Sequence, residues 1–275
     1  NSINVTQLIT VDDTINPTAS NLAPVNVQCA ANVPAVNIAD VNDEADNCAG
    51  TITVAHVSDV SDGNSNPEVI TRTYSVTDAA GNSINVTQLI TVDDTINPTI
   101  TCPANITTTT SNDGTGNCTT TVALGNPTVS DNCTATGSLI ITNNAPATFP
   151  VGTTTVTWTV TDAAGNQNTC TQNVTVTDNE NPTITCPTNI TVSANASCMA
   201  TGVALGTPTT ADNCGVASVT NDAPSSFPLG NTVVTWTVTD NAGLTATCTQ
   251  TVTVNDTTPP TITCPGDQNV NFDAN

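Results

Sequence analysis

The chain has 275 residues with 23 Asp plus Glu, one Arg (Arg72), no Lys and one His (His56), for a formal net charge of −22 at pH 7. Nucleic acid and anionic membrane surfaces repel such a chain, so neither is expected as a partner, and metal cations are its natural counterions. Because 37% of its residues are hydrophobic, and these alternate with Thr in strand-like runs, it reads as folded β structure rather than as the disordered chain its charge alone suggests.

Residues 1–18, "NSINVTQLITVDDTINPT", recur word for word at 82–99, so residues 1–16 read as the closing strand of a preceding repeat, and further sequence is expected before it. Residues 17–97 form a divergent repeat carrying "DNC" (46–48) and "TYSVTDAAGN" (73–82). Residues 98–181 and 182–258 are two close copies, in which "TVALGNPTVSDNC" matches "GVALGTPTTADNC" and "TCTQNVTV" matches "TCTQTVTV". Residues 259–275 open a further repeat. No run of about 20 apolar residues occurs, and direct insertion into a membrane is not expected.

Within each repeat, short strands are separated by turn signals. In "TVTWTVTD" the inward set is Val156, Trp158 and Val160, alternating with Thr157, Thr159 and Thr161; Val234, Trp236 and Val238 follow the same parity, as do Tyr74 and Val76. "DAAGN" then supplies a hairpin turn and "CTQNVTV" the returning strand. The fold class expected is all-β, with tandem immunoglobulin-like β-sandwich domains arranged head to tail. Arg72 stands where Val156 stands in the next copy, so it should be partly buried in a structural ion pair with a carboxylate.

The two later copies carry four cysteines each: Cys102, Cys118, Cys133 and Cys170, then Cys186, Cys198, Cys214 and Cys248. Four cysteines permit three connectivities. The first copy keeps only Cys29 and Cys48 and lacks both outer cysteines, as a bonded pair lost together would leave it. This predicts Cys102–Cys170 and Cys186–Cys248, with Cys29–Cys48, Cys118–Cys133 and Cys198–Cys214 as inner pairs and Cys264 awaiting a partner in the next repeat. Zinc ligation would need clusters such as C-x-x-C, which are absent. Disulfides place the chain outside the cytosol.

"NPTITCPANIT", "DNC", "FPxG" (149–152 and 227–230), "TVTWTVTDAAGN" and "TCTQ" together resemble the hyalin repeat, a family of immunoglobulin-like extracellular modules. Four cysteines per copy and "VNDEADNC" (41–48) are similar to bacterial versions, found in tandem in large surface adhesins of Bacteroidota, among them gliding-motility adhesins. The resemblance implies an exported, cell-surface protein that works in adhesion. Residues 17–97 depart from it, lacking the outer cysteine pair and "FPxG".

Between repeats lie acidic, proline-bearing linkers with carboxylates Asp12 and Asp13, Asp93 and Asp94, Asp178 and Glu180, and Asp256. The hairpin turns add Asp78, Asp162 and Asp240. Ca²⁺ takes six to eight oxygen ligands, which carboxylates, Asn side chains and carbonyls supply. "DNENP" (178–182) resembles the cadherin junction, where calcium stiffens the joint. A linker follows the last strand of its repeat whereas the hairpin turn precedes that strand, so a turn meets a linker only where it faces the neighbouring repeat. Solvated Asx turns are the alternative reading of the same acids. "DTI" (13–15 and 94–96) and "DTT" (256–258) are similar to the Bacteroidota O-glycosylation pattern and would place sugars on Thr14, Thr95 and Thr257.

Catalysis finds no footing. His56 has no nucleophile in a recognisable context beside it, phosphate chemistry lacks a Gly-rich loop and cationic clamps, and a sugar platform lacks exposed aromatics. The reading is a structural segment of a long extracellular filament or adhesin stalk, whose partners are neighbouring repeats of the same chain or filament. Alternatives are repeats that bind carbohydrate or protein directly, on a surface polysaccharide or a host or substrate surface, and a self-assembling fibre with strand exchange.

Overall fold

In the computed structural model, the described residues are 1–113 and 116–268, without the side chains of 112 and 113; the last seven residues of the expected 259–275 segment lie outside them. The chain divides into two compact units, one of residues 1–105, 124–145 and 155–172, the other of residues 106–123, 146–154 and 173–275.

The strands of residues 17–97 are β1 (Val25–Val27), β2 (Thr53–Ser61), β3 (Glu68–Thr77) and β4 (Ser83–Val92). In 98–181 they are β5 (Thr99–Thr101), β6 (Ile106–Thr109), β7 (Thr119–Thr120), β8 (Thr128–Ser130), β9 (Ile140–Asn143), β10 (Phe149–Pro150), β11 (Gly152–Thr161) and β12 (Gln167–Thr177). In 182–258 they are β13 (Thr183–Thr185), β14 (Ile190–Ser193), β15 (Met199–Thr201), β16 (Thr209–Ala211), β17 (Val216–Asn221), β18 (Ser226–Pro228), β19 (Gly230–Asp240) and β20 (Thr245–Asn255).

The pattern recurs. Four-stranded sheets run β1-β4-β3-β2, β6-β12-β11-β9 and β14-β20-β19-β17. In each, a short early strand pairs parallel to the last strand, as Val25 opposite Ile90, Ile106 opposite Val174 and Ile190 opposite Val252. The later copies add small antiparallel pairs, β5 with β8 and β7 with β10, then β13 with β16 and β15 with β18. These make the second layer of an all-β, immunoglobulin-like sandwich. Residues 17–97 hold only the bridge Thr18–Ala45 where β5–β8 stands in the next copy. The missing "FPxG" accounts for the lack of a counterpart to β7–β10 there: Phe149 and Phe227, at 1% and 3% exposure, anchor β10 and β18, and β2 instead runs almost directly into β3.

The alternation expected from sequence holds: Tyr74, Val76, Val156, Trp158, Val160, Val234, Trp236 and Val238 are all buried. The core also holds a polar group. Gln172 and Gln250 are fully buried, and each Oε1 accepts from the indole N–H of Trp158 or Trp236 at 3.2 and 3.1 Å. Their Nε2 groups donate to the carbonyls of Ala104 and Leu124, and of Thr188 and Leu205. Each glutamine thus satisfies two inward-facing carbonyls of non-ladder backbone, which would otherwise be costly to bury. Arg72, 3% exposed, makes the expected ion pair: Nε and Nη2 hold Asp59 at 2.9 and 2.8 Å, and Nη1 reaches the Pro34 carbonyl. His56 is a strand residue on β2, with Nε2 3.0 Å from the same Asp59.

Residues 1–16 contain no strand; Val5, Leu8, Ile9 and Val11 are exposed, although the identical sequence at 82–99 builds β4 and buries Val86, Ile90 and Val92. A strand is defined by its partners, and the first copy has none beside it.

The cysteines pair as Cys102–Cys170 and Cys186–Cys248, the two outer bonds expected. The inner expectation is overturned. Neither Cys29–Cys48, Cys118–Cys133 nor Cys198–Cys214 forms; the bonds are Cys29–Cys133 and Cys118–Cys214, with Cys48, Cys198 and Cys264 free and exposed. The reason is distance. Cys29 follows β1, whose Val27 lies opposite Val92 at the outgoing end of β4, while Cys48 shares a cleft with Ala79 and Ala80 of the turn that opens β4. A ten-residue strand separates them by about 30 Å, and a disulfide needs Cα atoms within about 7 Å.

Candidate metal centres

Three clusters bring together a linker acid, a "DNC" acid and a hairpin-turn acid: Asp13, Asp46 and Asp78; Asp94, Asp131 and Asp162; Asp178, Asp212 and Asp240. In each, one carboxylate oxygen per residue lies within 4.8 Å of the others. The hairpin turn of a repeat therefore faces the linker that enters that repeat, the facing arrangement the expected cage required.

Local turn chemistry places each acid. In the linkers, Oδ1 of Asp13, Asp94 and Asp178 accepts the N–H two residues on, from Ile15, Ile96 and Glu180. These are the Asx turns expected as the alternative reading, and they engage one oxygen only; Oδ2 of Asp94 and of Asp178 is buried and unpartnered. In the "DNC" loops, Oδ2 of Asp46, Asp131 and Asp212 accepts from the N–H of Cys48, Cys133 and Cys214, at 3.1, 2.9 and 2.8 Å. Oδ1 of all three is left buried without a partner.

In the turns, Gly81, Gly165 and Gly243 hold φ of 96°, 96° and 89°, a left-handed geometry that glycine adopts freely. Each turn wraps its peptide N–H groups around the acid: Oδ1 of Asp78 accepts from Ala80, Gly81 and Asn82. Burial pushes the Asp78 carboxyl up, but the Asn82 side chain and these N–H groups together outweigh it and hold it below its ordinary value. Asn166 donates its N–H to Oδ1 and its Nδ2 to Oδ2 of Asp162, whereas Leu244 replaces that asparagine in the third turn and leaves Oδ2 of Asp240 bare at 2% exposure. Asn82 and Asn166 also donate to the main-chain carbonyls of Asp13 and Asp94, tying turn to linker.

Three carboxylates this close repel strongly, by about 3 kcal/mol per charged pair at an effective dielectric of about 20. Bare oxygens on Asp94, Asp131, Asp178, Asp212 and Asp240, with Asp94 and Asp240 more than nine-tenths buried, fit a hard divalent cation that takes oxygen ligands. Three carboxylates leave room for water in a Ca²⁺ shell.

Of the expected metal acids, Asp13, Asp78, Asp94, Asp162, Asp178 and Asp240 enter the clusters; Asp12, Asp93, Glu180 and Asp256 do not. Asp256 instead caps its own turn, accepting from the N–H of Thr258. Asp46, Asp131 and Asp212 were not anticipated, although the fixed "DNC" spacing in all three repeats was visible. The cysteine of that motif adjoins the cluster: the Cys48 thiol is pushed up chiefly by its hydrogen bond to Asp13.

The HYR domain profile matches residues 93–176 and 177–254. The hyalin of Lytechinus variegatus is 34% identical over 156 residues, covering 51% of this chain and 28% of that protein. The hyalin of Strongylocentrotus purpuratus is 36% identical over 151 residues, covering 50% of this chain and 12% of that protein. The match thus spans well under half of either relative. Among solved structures, mouse cadherin-23 EC22-24 aligns with 88% of this chain and 99% of its own at a TM-score of 0.37 and 13% identity. Drosophila N-cadherin EC1-4 aligns with 88% of this chain and 76% of its own at 0.33 and 10%. These structural likenesses are loose and say nothing of ligands. Two HYR domains cover more than half of the sequence, and the chain belongs to the HYR domain family.

Proposed function

We propose that the chain is a structural segment of an extracellular, cell-surface filament or adhesin stalk, built from repeats at 17–97, 98–181 and 182–258 and stiffened at each linker by Ca²⁺. The observation that carries this reading is the recurrence of one acid triad at the three linkers that enter the repeats at 17–97, 98–181 and 182–258, with buried carboxylate oxygens left bare. Each triad takes one acid from the linker and two from the repeat that follows, so a shared cation would fix the angle between them. Four disulfides fit an oxidising extracellular setting. Among the described residues no helix is long and apolar enough to cross a membrane.

The partners of this reading are neighbouring repeats, with a polysaccharide or a host or substrate surface met by the filament as a whole. A Bacteroidota-type adhesin is the kind of parent protein proposed. Exposed Thr14, Thr95 and Thr257 are its candidate glycan sites, with Thr95 Oγ1 now hydrogen-bonded to Gln28.

Small-angle X-ray scattering with Ca²⁺ and then with EGTA tests the reading, alongside calorimetric titration of Ca²⁺. A stiff, extended particle that becomes flexible on chelation, with saturable Ca²⁺ binding, supports it. Superimposable profiles and no binding heat overturn it.

A further inference from the structure

The three triads are not equal. At the first, one buried carboxylate oxygen has no partner, Asp46 Oδ1; at the second there are two, Asp94 Oδ2 and Asp131 Oδ1. The third has three, Asp178 Oδ2, Asp212 Oδ1 and Asp240 Oδ2, one from each acid. One residue of the hairpin turn contributes to this difference. Asn82 and Asn166 donate Nδ2 to Oδ2 of Asp78 and Asp162, each at 2.9 Å. Leu244, at the same place, donates only its main-chain N–H, to Oδ1 of Asp240.

The "DNC" asparagine differs as well. In the first two loops it is exposed and its amide is engaged. Asn47 Nδ2 donates to Cys48 Sγ, and Asn132 Nδ2 to Cys133 Sγ and, at 3.3 Å, to Oδ1 of the linker acid Asp94. Asn213 is half-buried, and its Oδ1 and Nδ2 are both buried without a hydrogen bond. A buried amide in that state costs stability unless some other partner takes it up. Its counterpart Asn132 reaches the linker acid, and no hydrogen bond holds the Asn213 oxygen away from the same place. The frame around it is nevertheless fixed. Asn241 donates its N–H to the Gly215 carbonyl at 3.1 Å and its Nδ2 to the Cys214 carbonyl at 2.9 Å. Turn and loop are thereby joined without using a carboxylate.

We infer, building on the calcium reading above, that Asp178, Asp212 and Asp240 form the tightest of the three cation sites and that the Asn213 amide oxygen is its fourth protein ligand. A hard divalent cation takes carboxylate and amide oxygens alike, and its affinity follows the charge and rigidity of the ligands it meets. At this triad three bare oxygens meet the cation without giving up a hydrogen bond. At the other two, the turn acid offers an Oδ2 already shared with an asparagine. Without a cation, the third triad also lacks that asparagine's donor against the repulsion of its charges, so it gains most when one binds.

The test titrates Ca²⁺ into the metal-free full chain by calorimetry against a competing chelator, with melting curves recorded in EDTA. The parent should show one phase tighter than the rest, abolished by Asp212→Asn and kept in Asp131→Asn. Asn213→Ala should weaken that phase about tenfold or more. Its melting temperature in EDTA should stay close to the parent's, because the atoms removed have no partner in the protein. Leu244→Asn, which restores the asparagine of the other turns, should weaken the same phase. A tight phase that survives Asp212→Asn, or that Asn213→Ala leaves unmoved, overturns the inference while calcium binding itself stands. A lower melting temperature of Asn213→Ala in EDTA with affinity retained marks a structural residue and overturns it equally. A parent chain that takes up no Ca²⁺ sinks the calcium reading and the ranking of sites together.

Discussion

Asn166 Nδ2 donates to the main-chain carbonyl of Asp94 at 2.9 Å and to Oδ2 of Asp162 at 2.9 Å. One side chain thereby sets the spacing between a linker acid and a turn acid, and Asp131 completes the triad from a third segment. Replacing Asp131 by Asn removes one of three mutually repelling charges. In EDTA, Asp131→Asn should be more stable than the parent by about 1–3 kcal/mol, and in saturating Ca²⁺ the order should reverse. Melting curves under the two conditions check this reversal; a variant equally or less stable than the parent in EDTA contradicts a charge-loaded triad.

The buried glutamines make a second prediction. Gln250→Leu keeps the side chain's approximate bulk but strands the Trp236 indole N–H and the carbonyls of Thr188 and Leu205. A loss of about 3 kcal/mol is expected, measured by denaturant unfolding. An exposed control such as Thr249→Val should change stability by less than about 0.5 kcal/mol.

Acid should loosen residues 17–97 through Asp59. Its hydrogen bonds to Arg72, aided by His56, lower its pKa to about 2. A carboxyl depressed on folding contributes stability above its unfolded value of about 3.9, and that contribution drains away as the pH falls towards 2. Asp59 is about a third exposed, so solvent screening reduces the effect to on the order of 1 kcal/mol. Asp59→Asn should remove this part of the pH dependence, as melts between pH 5 and 2 would reveal. An unaltered pH profile would exclude Asp59 as its source.

The outer disulfides should matter within their own repeats. Replacing Cys102 and Cys170 together by Ser opens a bond between residues 68 apart and should cost about 2–4 kcal/mol. Hydrogen exchange should show the loss confined to residues 98–181, with protection at the Trp236 strand retained. Loss spread evenly over the chain would contradict such locality.

Much of this fold was legible because its signals are local. Alternation placed Trp158 and Trp236 inward, and the absence of two cysteines together from residues 17–97 identified the outer pairs. The same reasoning failed for the inner cysteines. Retention of both Cys29 and Cys48 is as consistent with bonds to neighbours as with a bond to each other, and only the parallel pairing of β1 with β4 shows that they lie at opposite ends. Gln250 shares the parity of Cys248, Val252 and Val254, so its inward position was readable, but its polarity hid it. The "DNC" acids were overlooked for a related reason. The cysteine drew the eye, while the carboxylate two positions earlier served a turn whose free oxygen shows only in three dimensions.

The bond from Cys29 to Cys133 encloses the linker at 93–98, and that from Cys118 to Cys214 encloses the linker at 178–182. With Cys102–Cys170 and Cys186–Cys248 the closed loops overlap, so every peptide bond from Cys29 to Cys248 lies inside at least one of them. A single proteolytic nick anywhere in that span leaves the molecule in one covalent piece, and a tensile load keeps a second path around any one broken backbone bond.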